Sequence, residues 1–196
     1  MADFLKSNSW VIWVPVIVFG VAVGVVLAIL MIREFRPKES AEDKQAIDSL
    51  AIKLREITSK YGGAVYTRFA LKQKKQSIQI LFLSRGGLFV VEFSNQAGKL
   101  LGDANEPTWK LVGDGKSFPN PMIKTQRKAD YLAANLLSKV EVNHFVIFPK
   151  ADLLYVACKN AVKENQLIAT LETATKASKY SASQINELNR LLKNFK

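Results

Sequence analysis

The chain has 196 residues, with 28 Lys plus Arg against 17 Asp plus Glu and a net charge of +11. One cysteine, Cys158, and one histidine, His144, exclude an intramolecular disulfide and a cysteine-rich zinc site, and argue against a histidine-based zinc site or a nucleophile–histidine triad. Basic chains attract polyanions, which leaves nucleic acid and an anionic lipid leaflet as partner classes.

The strongest single feature comes first in the chain. Residues 10–32 are 23 positions without one charged side chain. As a helix they reach roughly 34 Å, enough for a hydrocarbon core of about 30 Å, and they are too long for the apolar part of a cleaved leader. The expected layout is a short tail over 1–9, a transmembrane helix over 10–32, a basic link over 33–39 and one cytoplasmic domain over 40–196. Lys6 precedes the span and Arg33, Arg36, Lys38 and Lys44 follow it, so the amino terminus is expected outside an inner, bacterial-type membrane and the domain inside. Gly20, Gly24 and Ala28 form a small-residue step through which two such helices could pack as a homodimer. The link spans at most about 3.5 Å per residue, which keeps the domain near the bilayer.

Beyond the link, Ile47, Leu50, Leu54, Ile57 and Tyr61 recur at helical spacing up to Gly62-Gly63. Strand-like runs follow at 64–71, 77–83 and 88–93, separated by turn signals at 72–76 and 85–87. Leu88-Phe89-Val90-Val91 is apolar on both faces and reads as a central, doubly covered strand. Short strands are expected at 99–101, 108–112 and 116–118. Asn120 as N-cap and Pro121 as first residue then open a helix over 121–137. That helix puts Ala129, Leu132 and Leu136 on one side and Lys124, Arg127 and Lys128 on another, as a basic ridge. Strands over 142–148 and 153–158 follow, with His144 as a strand residue. Two helices close the chain, the last from about Ser183 with Ile185, Leu188, Leu192 and Phe195 inward.

A strand that ends in an acid, Val91-Glu92, raises the question of metal-dependent phosphodiester cleavage, which needs carboxylates on adjacent strands and a lysine beside them. The ordered set Ser77-Ile78-Gln79-Ile80-Leu81-Phe82-Leu83-Ser84, Gly87-Leu88-Phe89-Val90-Val91-Glu92-Phe93-Ser94-Asn95, Gly98, Trp109 and Asn120-Pro121 resembles the nuclease-related domain, NERD. The resemblance is densest from Ser77 to Tyr131. It implies a fold similar to the PD-(D/E)xK nucleases: α/β, a mixed sheet flanked by helices, restriction-endonuclease-like, here preceded by the transmembrane helix.

The departures from that family bear on function. Gln79 stands where the family has its metal-binding acid, and Ser94 where it has its lysine, so Glu92 alone remains of the strand-borne set. Lys124 occupies the place of the family's glutamine after Asn-Pro, and Gln126, two residues later, reads as an exposed helix residue. The resemblance, so altered, implies a module that binds or scaffolds nucleic acid at the cytoplasmic face without cutting it and without a metal or other cofactor. Its phosphate or phospholipid contacts would be Lys72, Lys74 and Lys75 on the hairpin with Lys124, Arg127 and Lys128 on the helix. Two other functions are set against it. One is an active nuclease using Mg²⁺, with Lys99 or Asp103 moved beside Glu92. The other is a membrane-assembly component that docks a protein partner through an exposed apolar patch.

Overall fold

The computed structural model describes residues 40–71, 76–136 and 140–195. The elements, in order, are α1 (Ala41–Tyr61), β1 (Gly63–Leu71), β2 (Gln76–Ser84), β3 (Gly87–Phe93), β4 (Gly98–Asp103), β5 (Thr108–Leu111), β6 (Ser117–Pro119) and α2 (Pro121–Asn135). They are followed by β7 (Val142–Ile147), β8 (Ala151–Ala157), β9 (Ala161–Val162), α3 (Glu164–Ala177) and α4 (Ala182–Asn194). The expected span over 10–32, with its packing residues Gly20, Gly24 and Ala28, lies outside the described residues, as do Lys72, Lys74 and Lys75. Among the described residues no helix is long and apolar enough to cross a membrane.

α1 begins with Glu42 and Asp43 and ends near Lys60, charges that complement its dipole. Gly62, at φ 82°, stops it and donates its N–H to the Thr58 carbonyl at 2.8 Å. A five-stranded sheet in the order β1-β2-β3-β7-β9 forms the centre. Its first three strands are antiparallel, and β3, β7 and β9 run parallel. β3 is therefore interior, as its two-sided apolar run requires: Leu88, Phe89, Val90 and Val91 are all buried. One face of this sheet packs Ile80, Phe82, Phe89, Val91, Phe145 and Ile147 against α1 and α3. The other packs Leu81, Leu83, Leu88 and Val90 against Ala129, Leu132 and Leu136 and against Ile185, Leu188 and Leu192 of α4. Phe195 closes that layer by stacking on Phe69.

The expectation of one mixed sheet needs a correction, because a second sheet is present, in the order β6-β5-β4-β8 with β4 parallel to β8. The strand at 153–158 begins earlier, at Ala151, and the two-residue β9 was not anticipated. Both depend on pairing between segments far apart in sequence, which local periodicity does not report. The second sheet has its own core, in which Trp109 is fully buried and stacks on Phe148 at 5.6 Å between ring centroids. Gly102 is obligatory there, since a Cβ would lie 2.3 Å from the Trp109 ring. On the outer face of this sheet Leu101 pairs with Tyr155, and both are exposed together with Val112 and Leu154.

Asn120 joins the second sheet to α2. Its Oδ1 accepts the Met122 N–H at 2.9 Å, capping the helix, and its Nδ2 donates to the carbonyls of Asp103, Ala104 and Glu106. The cap expected from Asn120-Pro121 is therefore also a fastener for the β4–β5 turn. Truncating it removes a cap worth about 1 kcal/mol and takes a donor from three partly buried carbonyls. Asn120→Ala is expected to lower unfolding stability by roughly 2 kcal/mol or more. Ser181→Ala, at the exposed capping box of α4, is expected to cost only about 1 kcal/mol. Urea denaturation of the two variants measures the difference.

Candidate functional site

The strand ladder between β2 and β3 ends at Ile80↔Val91, so Gln79 and Glu92 come next, directly opposite each other. There the side chains take over from the backbone ladder. Glu92 Oε1 accepts the Gln79 backbone N–H at 3.1 Å, and Gln79 Oε1 accepts the Phe93 backbone N–H. Positions 79 and 92 are thus in contact, each capping a backbone donor of the opposite strand.

An irregularity in the neighbouring pair makes room for this clasp. β1 and β2 pair at Thr67↔Ile80 and again at Phe69↔Ile78, passing over Arg68 and Gln79. Arg68 has φ 50°, a left-handed conformation that costs a non-glycine residue about 1 kcal/mol, and its guanidinium meets Asp48 of α1 at 3.1 Å. Across the break the strand changes face: Ile80 packs with α1, whereas Ile78 packs with the α2–α4 layer. Regular alternation would have kept both on one side.

Lys128 completes the cluster from α2. Its Nζ lies 2.7 Å from Glu92 Oε2 and donates to the Ser77 carbonyl at 2.6 Å, with side-chain exposures of 5% for the lysine and 12% for the glutamate. Burial pushes the Lys128 amine below its ordinary value; the Glu92 carboxylate opposes that shift, and the neighbouring Lys124 charge adds to it. This corrects the assignment of Lys128 to an exposed ridge. Thr125, Lys128, Ala129 and Leu132 form the buried side of α2, while Lys124, Gln126 and Arg127 are exposed. Lys128 lies three residues after Thr125, next to Ala129 and four before Leu132. Helical phase alone therefore placed it inward, and its charge concealed that.

The other site residues are accounted for as follows. Ser94 is buried just past β3, where its backbone N–H donates to the Ile147 carbonyl at 2.9 Å. Lys99 and Asp103, the residues proposed to move beside Glu92, belong to β4 of the second sheet. Asp103 uses Oδ1 to accept the Asn105 N–H at 2.9 Å, and Glu92 is engaged by Gln79 and Lys128. His144 sits on β7 opposite Val90, and burial pushes its pKa down against the pull of Asp130.

The family implies a divalent cation at these positions, and the residues present do not fit one. Mg²⁺ takes about six oxygens, with carboxylates supplying the negative charge. Here the single carboxylate has one oxygen on an N–H and the other on an ammonium, and position 79 carries a neutral amide. Among the described residues no group of three or more His, Cys, Asp or Glu is placed to hold a metal ion.

With the fold and the cluster in hand, comparison with known proteins gives a definite class. The family model of the nuclease-related domain, NERD, matches residues 39–149, and the chain belongs to that family. The match runs from α1 through β7. It leaves outside β8, which closes the second sheet, and α3 and α4, which cover the first. Searches of curated proteins and of solved structures each found no match.

The pair can be weighed by mutation. Lys128→Met leaves a nearly buried carboxylate unpaired and is expected to cost about 3 kcal/mol. Glu92→Gln combined with Lys128→Met removes the charge that was left behind and is expected to recover at least about 1 kcal/mol of that loss. A double-mutant cycle by chemical denaturation reads both; full additivity would mean that the two groups do not interact.

Proposed function

We propose that this chain is a nuclease-related module that binds nucleic acid without cleaving it, held at the cytoplasmic face of a membrane by residues 10–32. The observation that carries the non-cleaving part is the Glu92 carboxylate engaged by the Lys128 ammonium, with neutral side chains at 79 and 94. Metal-assisted attack of water on a phosphodiester needs a cation held by carboxylates and a group that activates the water. Among the described residues, neither role has an available side chain in the contacts of Glu92.

The binding part rests on the exposed basic residues of α2. Lys124, one turn before Lys128, and Arg127, next to it, face solvent, and Lys75 is only two residues from Ser77, whose carbonyl receives Lys128. Such a surface contacts phosphates without reading bases. In this reading Lys72, Lys74 and Lys75 extend it along the hairpin. Anchoring rests on the uncharged run over 10–32 and the four bases that follow it.

The purified full-length protein should leave DNA and RNA intact in Mg²⁺ or Mn²⁺, and should bind duplex DNA with an affinity that falls steeply with salt. Each phosphate contact contributes about 0.9 to the slope of log affinity against log salt, so Lys124→Glu with Arg127→Glu should lower it by about 2. Cleavage that is lost in Glu92→Gln would refute the non-cleaving reading. A preference for anionic vesicles over DNA at equal salt would move the basic surface to the leaflet. If neither binds near physiological salt, the charge serves solvation, and the exposed Leu101, Val112, Leu154 and Tyr155 of the second sheet become the better contact surface, for a protein partner.

The membrane part has its own test. A reporter that works only in the cytoplasm, fused after Lys196, should be active. Activity of a reporter that requires export at the same position would reverse the orientation and remove nucleic acid as a partner.

A further inference from the structure

We propose that the Lys128 ammonium is the resident cation of this site, and that it, as much as the amide at position 79, keeps divalent ions out. The inference deepens the non-cleaving reading above and rests on it. The ammonium lies between a carboxylate oxygen of β3 and a backbone carbonyl oxygen of β2, at 2.7 and 2.6 Å, the kinds of donor that hard cations take. It is delivered by a side chain on the packed face of α2, so its position is fixed by the fold.

Charge counting explains why position 79 and position 128 belong together. Glu92 and Lys128 sum to zero, which suits a site this buried. An added carboxylate at 79 with Lys128 in place leaves one negative charge, which the ammonium can share between two acids. Loss of Lys128 with Gln79 retained strands the Glu92 charge. Only an acid at 79 together with loss of the ammonium gives two negative charges, the amount that one divalent ion neutralises. Lys124, one turn earlier, adds positive potential that further disfavours a divalent ion while Lys128 remains.

The test is Mn²⁺ binding to the full-length protein, read from the loss of the free-ion paramagnetic resonance signal, with Glu92→Gln in each background to isolate this site. The natural chain and Gln79→Asp alone are expected to show no Glu92-dependent Mn²⁺. Gln79→Asp with Lys128→Ser is expected to take up one Mn²⁺ per chain and to unfold at a higher temperature with the ion than without it. Should that double variant fail to fold alone, Mn²⁺ is expected to restore its near-ultraviolet circular dichroism. Glu92-dependent Mn²⁺ binding with Lys128 in place would overturn the proposal, as would a double variant that neither binds Mn²⁺ nor is restored by it. The two readings fail differently. Cleavage by the natural chain sinks the non-cleaving module, whereas Glu92-dependent Mn²⁺ binding without cleavage sinks only the resident-cation proposal.

Discussion

Lys128 of α2 reaches to Glu92 of β3 and the carbonyl of Ser77 on β2, and a helix distant in sequence is tied there to both strands of a hairpin. Desolvating two charges is expensive, and a buried pair often stabilises no more than an apolar substitute would. What the pair supplies is placement. Only one position of α2 against β2 and β3 satisfies both the carboxylate and the carbonyl, and a shift of one helical residue would bury an unpaired charge. The same atoms that fix this packing also occupy both carboxylate oxygens of Glu92, so the packing of α2 and the proposed absence of a metal share one cause.

Several residues that carry the family resemblance turn out to act structurally in this chain. Trp109 fills the core of the second sheet and donates to the Asp103 carbonyl at 2.7 Å, and Asn120 gathers three carbonyls of the β4–β5 turn while capping α2. Gly87, at φ 134°, begins β3 after a turn whose Gly86 has no room for a Cβ against the Ala174 carbonyl. Of these, the Asn120 contacts tie the start of α2, the helix that carries Lys128, to the β4–β5 turn. Residues of a family signature can thus be held by their packing, whatever the chemistry beside them.

A second lysine is used in a comparable way at the joint between the two sheets. Lys163 donates to the carbonyls of Phe148, Pro149 and Ala151, which bridge β7 to β8. Turn carbonyls without a ladder partner need a donor, and a flexible ammonium can serve several at once. The chain's surplus of lysine is therefore divided: some of it gathers internal oxygens, and other lysines, Lys124 among them, are exposed to solvent. Net charge alone does not separate these uses.

The sequence by itself determined most of the elements and which of their apolar faces are buried. The spacing of Ile47, Leu50, Leu54 and Ile57 made a helix, the two-sided run Leu88-Phe89-Val90-Val91 made an interior strand, and Asn120-Pro121 opened α2, because each of these signals is local and periodic. The amide at 79 and the hydroxyl at 94 were equally legible, since they need only residue types in order. The second sheet, the short β9 and the change of face at Arg68 and Gln79 came only with tertiary structure, because strand partners and register are set by chain segments far apart. The role of Lys128 lay between the two. Helical phase pointed it inward from the start, but only the fold brought a carboxylate and a carbonyl to the place where its charge could be buried.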